Sequence, residues 1–301
     1  MSTLIKYALL TILFITLPLS LFAAQQIYFH YRGGKPNSTA LKDGKLHIFF
    51  CGTGDPQANM QVIRKPSCLA IIVDNNFFLI DSGEGSIQTL AAMGLPIGSI
   101  DKVFFTHYHS DHIAGLGQIV NASWMWGRKV PFIAYGPKGI KRTTQSINDL
   151  YQHDVQYRVA NRAGALNANL GKVYPKEIPT RNTPQLVYQT KNIRLYAFRV
   201  DHNPAIPALG YVLYYKGCKI VISGDTKITG TLAEQAKNAT VLINEAFSRY
   251  FYDQTIKAIK KDNPKNAKQL ILHENETKQY HSDTLLLAKM AQADPSVSRC
   301  S

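Results

Sequence analysis

The 301 residues carry 34 lysines and arginines against 20 aspartates and glutamates, a formal charge of +14, and 45% of them are hydrophobic. That apolar share, with no low-complexity tract, excludes a disordered chain and allows one large domain or two small ones. The basic residues are spread without a dense run, which favours a generally basic surface over a dedicated nucleic-acid face, although such a charge attracts polyanions and anionic membranes.

After Lys6, the stretch from Tyr7 to Ala24 holds no charge. A basic start, an apolar run and the small pair Ala23-Ala24 read as a secretory signal, with Leu21 or Phe22 imperfect at the third position before cleavage. The run also approaches membrane-spanning length, so an uncleaved anchor and a buried core helix are the other readings. Signal and anchor alike put the body outside the cytoplasm, periplasmic or membrane-attached. Residues 1–24 are therefore expected to be a signal peptide or membrane anchor, 25–45 a linker, and 46–301 the main domain.

Leu46 to Phe50 is strand-like and ends in the sharp turn Cys51-Gly52-Thr53-Gly54-Asp55-Pro56. Cys68 to Val73 and Phe77 to Ile80 follow as strands, joined by the hairpin residues Asp74-Asn75-Asn76. No C-x-x-C pair exists, so a zinc knuckle is not expected. If the first two strands pair, Cys51 and Cys68 approach and an exported site permits a disulfide. The preferred alternative is two small buried apolar residues. A helix is expected over Ile87 to Met93, closing at Gly94.

Asp101 to Phe105 reads as a buried strand feeding Thr106-His107-Tyr108-His109-Ser110-Asp111-His112. Neutral imidazole and carboxylate suit zinc and similar divalent ions. His107 and His109 stand at i and i+2 on one side of an extended segment, while Asp111 and His112 follow the turn, so one segment can feed two metal positions. A helix over Ile113 to Val120, a strand over Val130 to Tyr135 and a turn at Gly136-Pro137-Lys138-Gly139 before another helix come next. Trp124 and Trp126 either line a substrate mouth or pack after the helix. Ala160 to Gln189, rich in Asn, Gly, Pro and Arg, reads as an irregular surface insertion, a substrate-side loop or an ordinary loop. Strands are expected at Ile193 to Val200, Gly210 to Tyr215, Lys219 to Ile222 and Val241 to Asn244, and a helix at Thr284 to Ala291. This mixture favours sheets covered by helices.

Three further strand ends carry ligand-type residues: Asp81, Asp201-His202 and Ser223-Gly224-Asp225-Thr226. In this order after His-x-His-x-Asp-His, and with Leu79-Ile80-Asp81-Ser82-Gly83-Glu84-Gly85, Tyr135 to Gly139 and Gly210-Tyr211, the chain resembles the metallo-β-lactamase superfamily. Within it, the ribonuclease Z and arylsulfatase-like branch is the most similar. The resemblance covers about residues 46–290. It implies an α/β fold, a four-layer αβ/βα sandwich, with two divalent metal ions, usually zinc, between the sheets.

Carried over by motif, the resemblance implies that His107, His109 and His202 bind one metal, that Asp111 and His112 bind the other, and that Asp225 bridges them. Asp81 orients the histidine loop, since a ligating imidazole needs a partner on its other nitrogen. Asp111 holds or deprotonates the attacking water. Glu245 orients His281, which protonates the leaving oxygen. His30, His47, His153 and His273 have no motif around them and are expected at surface or loop positions.

Three departures stand out. The branch's His-Glu-Ala-Thr motif is Asn244-Glu245-Ala246-Phe247 here. The interval from His202 to Asp225 is too short for the tRNA-gripping arm of many bacterial ribonuclease Z enzymes. No histidine follows His281, whereas the family places its last metal ligand on a strand beyond that point. A missing last strand, through truncation or frame shift in preference to a natural shortening, and a weakened second metal site are therefore expected.

The resulting expectation is a metal-dependent hydrolase of small anionic esters, phosphodiester or sulfate, using a metal-activated water. The alternatives are a tRNA 3′-processing endoribonuclease and an exported, catalytically impaired or truncated binding protein. The resemblance also implies a homodimer. Nucleic acid is a possible but not favoured partner, and the N-terminal segment a possible membrane contact.

Overall fold

In the computed structural model, residues 38–56, 64–181 and 183–292 are described. The proposed signal or anchor and most of the expected linker lie outside them. Among the described residues no helix is long and apolar enough to cross a membrane. The end of the expected linker is part of the packed body, however. Helix α1 (Thr39–Lys42) buries Leu41 against the core beside the second strand.

Two sheets form the centre. The first contains β1 (His47–Gly52), β2 (Cys68–Val73), β3 (Asn76–Ile80), β4 (Ile100–Phe104), β5 (Phe132–Gly136) and β6 (Val173–Glu177), in that spatial order. β1 to β3 pair antiparallel and β3 to β6 pair parallel. The second sheet runs β11 (Val241–Ile243), β10 (Cys218–Ile222), β9 (Ala208–Tyr215), β8 (Ile193–Val200) and β7 (Gln185–Gln189). Two-residue alternation splits each central strand between two cores. In β2, Leu69, Ile71 and Val73 face the second sheet with Phe78, Ile80, Phe104, Leu195, Tyr211 and Ile222. Ala70 and Ile72 face the opposite way, packing with Leu90, Leu116 and Ile119. A strand covered on both faces reads as an unbroken apolar run, which is why Cys68–Val73 shows no polar alternation.

The outer layer on the first sheet is formed by α2 (Ser86–Ala92), α4 (Leu116–Met125) and α5 (Ile140–Leu150). On the second sheet, Phe198, Val200, Val212 and Val221 pack with Leu232 of α7 (Gly230–Ala236) and Met290 of α10 (Thr284–Gln292). These are the four expected layers.

Two expectations are corrected, and the open choice for Trp124 is decided for packing. The helix read as Ile113 to Val120 is two pieces, α3 (Ser110–Ile113) and α4, separated at Gly115. The Gly115 N–H donates to Ser82 O, and a Cβ there would stand 2.4 Å from Gly83 O. The segment 160–189, read as irregular, supplies an edge strand to each sheet, β6 and β7; it crosses between the layers. α6 (Gln152–Asn161) leads into it. Trp124 packs against Gly171, away from any site, and Trp126 is exposed.

Cys51 and Cys68 form a disulfide between β1 and β2, so the preferred reading of two unlinked buried residues gives way. The β1–β2 register sets Gly52 opposite Cys68, with an irregularity between Phe50 and Gly52 that brings the thiols together.

Candidate metal centre

The strands deliver the polar residues at their C-terminal ends, where regular hydrogen bonding stops and backbone groups become free to hold side chains. Asp81 ends β3 in the left-handed region, φ 58°. Its carboxylate takes the Thr106 N–H and the Thr106 hydroxyl at 2.8 Å each, and His112 Nδ1 at 2.8 Å. The loop after β4 is also tied to the second sheet. Leu209 N donates to Thr106 O at 2.9 Å, and the Tyr211 hydroxyl donates to Phe105 O at 2.5 Å. The Gly224 Cα leaves room for Thr106: a Cβ there, at φ 61°, would stand 2.9 Å from its Cγ2.

The loops after β8 and β10 knit to each other through Thr226. Its hydroxyl meets Asp201 N at 3.1 Å and Asp201 O at 3.2 Å. This fixes His202 relative to Asp225. Beyond β11, Glu245 Oε1 accepts from Thr226 N at 3.1 Å, Ser282 N at 3.0 Å and His281 Nδ1 at 3.0 Å. The Ser282 hydroxyl in turn donates to Thr226 O at 2.6 Å. Asn244, standing where the resemblance has a histidine, donates to Ser282 Oγ at 3.1 Å and to Glu245 O at 2.7 Å.

These connections gather His107, His109, His112, His202, Asp225 and His281 into one cluster. Three groups of ligand atoms lie within 4.8 Å of one another: His107, His109 and His202; His107, His112 and Asp225; and His202, Asp225 and His281. His109 Nδ1 is 2.9 Å from His107 Nε2 and 3.3 Å from His202 Nε2. Donor atoms around one tetrahedral zinc stand roughly 3.3 Å apart, so this triangle has the size a cation needs. His112 Nε2 lies 3.4 Å from Asp225 Oδ2 and 3.5 Å from Asp111 Oδ2. Asp111 joins none of the three groups.

The electrostatics suit the same use. Burial pushes the His107 imidazole down to about 2, with charge on His112 adding to the effect. Burial also lowers His202. Both rings are thus neutral, the form that presents a lone pair. For His112 burial opposes protonation, but the Asp81 and Asp225 carboxylates outweigh it and raise the ring well above its ordinary value. Burial likewise resists charge on Asp225, and His112 overcomes it, holding that carboxyl low. His112 Nε2 and Asp225 Oδ2 stand 3.4 Å apart, a spacing that two donors to one cation can take. Burial raises Asp111 and Glu245. His281, penalised by burial, is nonetheless raised by its bond to Glu245.

His109, His112, Asp225 and His281 line a cavity of about 790 Å³ whose walls also include Phe50, Arg64, Phe247, Tyr252 and Tyr280. His273, expected at the surface, is exposed on α9 (Ala267–Tyr280) and also borders this cavity. Thr106, Tyr211 and Thr226 stand in the sequence motifs without an assigned role, and Ser282 outside them; the fold makes each a buried hydroxyl that holds distant segments in place.

The family model described as "Anti-Pycsar protein Apyc1" matches residues 46–247. Ribonuclease Z of Mycobacterium marinum (strain ATCC BAA-535 / M) is 30% identical over 203 residues, 66% of this chain and 70% of that protein. The chain belongs to the anti-Pycsar protein Apyc1 family of the metallo-β-lactamase superfamily, on its ribonuclease Z-like branch. Ribonuclease Z of Mycobacterium avium (strain 104) is 28% identical over an equal span. Among solved structures, human tRNase Z, short form, superposes with a TM-score of 0.61 at 22% identity, covering 81% of this chain and 87% of that one. The long-form RNase Z from yeast gives a TM-score of 0.51 at 15% identity, over 73% of this chain and 35% of the yeast chain. In this metallo-β-lactamase fold member, the ligand-type residues occupy the loops at the strand ends, between the two sheets.

Proposed function

We propose that the chain is a metal-dependent hydrolase of small anionic esters, phosphodiesters or sulfate esters. The observation that carries this reading is the convergence of five imidazoles and Asp225 in ligand-sized groups, with His109, His112, Asp225 and His281 lining one cavity. Two bound divalent cations, zinc by the imidazole-rich donor set, would lower the pKa of a water and neutralise the non-bridging oxygens of such an ester. His107, His109 and His202 would hold one, and His112 with Asp225 the other. Asp81 keeps His112 in the tautomer that ligates. Asp111, its carboxyl raised by burial and outside the ligand groups, is placed to take the proton of the attacking water. Arg64 on the cavity wall offers a positive partner for the substrate.

The disulfide Cys51–Cys68 supports an exported location, because such bonds persist in oxidising compartments. A second reading, tRNA 3′ processing, is supported by the ribonuclease Z relatives. The interval from His202 to Asp225 is filled by the β9–β10 hairpin, which weighs against an RNA-gripping arm there.

The test is turnover of bis(p-nitrophenyl) phosphate and p-nitrophenyl sulfate by zinc- or manganese-loaded protein, with and without chelator. Chelator-sensitive hydrolysis of either is expected. Absence of metal-dependent turnover on both would overturn the proposal. Cleavage of a precursor tRNA at its 3′ end, with neither small ester turned over, would select the second reading.

A further inference from the structure

The parallel strands β3 to β6 all begin at the end of the sandwich remote from the ligand cluster. The loops at that end are basic. Lys42 and Lys45 precede β1, Lys129 precedes β5 and Lys172 precedes β6, while Lys191 and Lys216 stand in the β7–β8 and β9–β10 turns; all six are exposed. The turns are tied together. Lys216 Nζ donates to Gly44 O at 3.0 Å, the Tyr215 hydroxyl donates to the same oxygen at 2.8 Å, and Asn192 Nδ2 donates to Asp74 Oδ2 at 2.6 Å. The acids beside these lysines are already engaged: Asp43 by His47, Asp74 by Asn192 and Tyr215, and Asp101 by Lys102.

The same end exposes large apolar side chains. Trp126, at the close of α4, is 70% exposed, Val130 is 48% and Met93, just after α2, is 41%. Trp126 stands on a rigid base, the turn Ile97–Ser99: a Cβ on Gly98 would come 2.2 Å from Trp126 O. An indole set among lysines suits the boundary between lipid and water.

The described chain also begins here. Asn75 N donates to Leu41 O at 2.8 Å, which holds α1 against the β2–β3 turn, and Leu41 shares an apolar cluster with Ile97. The uncharged run Tyr7 to Ala24 lies upstream. Residues 25–37, fully extended, reach at most about 45 Å, so a bilayer holding that run has this end of the body tethered closest to it. Two such ends would repel each other, which disfavours a second copy of this chain. An anionic lipid surface is complementary, and each lysine near it favours contact about fivefold.

We propose that this end of the sandwich rests on an anionic lipid surface, with Tyr7 to Ala24 as an uncleaved anchor in the same bilayer and Trp126 at the headgroup level. The inference needs no metal and stands apart from the hydrolase reading. It leaves the cavity, at the other end, open to water-soluble esters.

The test uses the full chain in vesicles of phosphatidylcholine with or without phosphatidylglycerol. Tryptophan emission is followed with acyl-chain-brominated lipid and with acrylamide in the water. Trp126→Phe gives the contribution of Trp124, which is 2% exposed. On anionic vesicles Trp126 emission is expected to shift to the blue, to be quenched by the brominated lipid and to be shielded from acrylamide. On phosphatidylcholine alone, and at about 1 M salt, where the screening length is about 3 Å, Trp126 should stay open to acrylamide. Lys42→Gln, Lys129→Gln and Lys172→Gln together should lower the ratio of docked to undocked body about a hundredfold and leave the urea midpoint nearly unchanged. A vesicle-bound chain whose Trp126 responds alike to anionic and neutral lipid overturns the proposal. Shielding of Trp126 that appears without lipid and grows with protein concentration also overturns it and assigns the face to a second copy. A mature exported chain that begins after Ala24 overturns it by removing the anchor.

Discussion

Replacing Asp81 separates the two jobs its carboxylate performs. Asp81, Thr106 and His112 are 2%, 1% and 2% exposed, so water cannot replace a lost partner there. In Asp81→Ala the Thr106 N–H and the His112 Nδ1–H both lose their acceptor. At about 1–3 kcal/mol for each buried unmatched donor, the loss is about 2–6 kcal/mol, much of the stability of a typical domain, about 5–15 kcal/mol. Asp81→Asn behaves differently. Its oxygen can still accept the Thr106 N–H, while its amide N–H₂ now faces His112 Nδ1. That nitrogen must become an acceptor, which moves the ring proton to Nε2, toward Asp225. An Nε2–H cannot ligate. The metal held by His112 should therefore weaken about 10–100-fold, which is about 1.4–2.7 kcal/mol, with a smaller stability loss than in the alanine variant. Zinc titration against a chelator reads the first effect, and urea denaturation in chelator reads the second. Unchanged zinc affinity in Asp81→Asn, or equal destabilisation by the two variants, would refute the reasoning.

Other outcomes follow from single contacts. The Cys51–Cys68 bond closes a segment with a sequence separation of 17; Cys51→Ala with Cys68→Ala should lower unfolding free energy by about 3 kcal/mol, seen as a lower urea midpoint. Gly224→Ala puts a Cβ at φ 61°, 2.8 Å from Leu209 O; the shift of Asp225 should cut zinc affinity at least tenfold in a chelator competition, on the order of 1.4 kcal/mol. Tyr211→Phe removes the donor to Phe105 O in the core between the sheets, and about 1–2 kcal/mol is expected from the denaturation midpoint. Asp74 is held below its ordinary 3.8 chiefly by the Asn192 side-chain hydrogen bond, against burial and with help from Tyr215. A depressed folded-state value stabilises above the unfolded one and is lost as pH falls through it. Asp74→Asn should therefore flatten the acid limb of the stability curve below about pH 4; an unaltered limb would show that this carboxylate contributes nothing there.

The fully buried strands announced themselves because burial on both faces demands unbroken apolar runs, as in Cys68–Val73 and Phe77–Ile80. The hairpin at Asp74-Asn75 was equally legible: both residues have positive φ, which Asp and Asn tolerate. The segment 160–189 was not legible. Neither edge strand shows a buried apolar run, β6 being exposed at all but Val173, and their pairing with β5 and β8 is a long-range matter that local polarity conceals. The disulfide was likewise undecided until the β1–β2 register put Cys51 near Cys68.

The chemistry divides along the same line. The sequence by itself determined which residues meet, because strand-end motifs carry their ligands at positions the fold must bring together: His107, His109, His112, His202 and Asp225. The tertiary structure alone decided how they are held, since the holding groups are backbone amides and hydroxyls that any residue order could supply. It set Asp111 beside His112 yet outside the ligand groups, and turned His281 toward Asp225 with Glu245 behind it. Ligand identity is a property of side-chain type, which the sequence states. Ligand role is a property of distance and of which ring nitrogen is already taken, and only the folded chain fixes those.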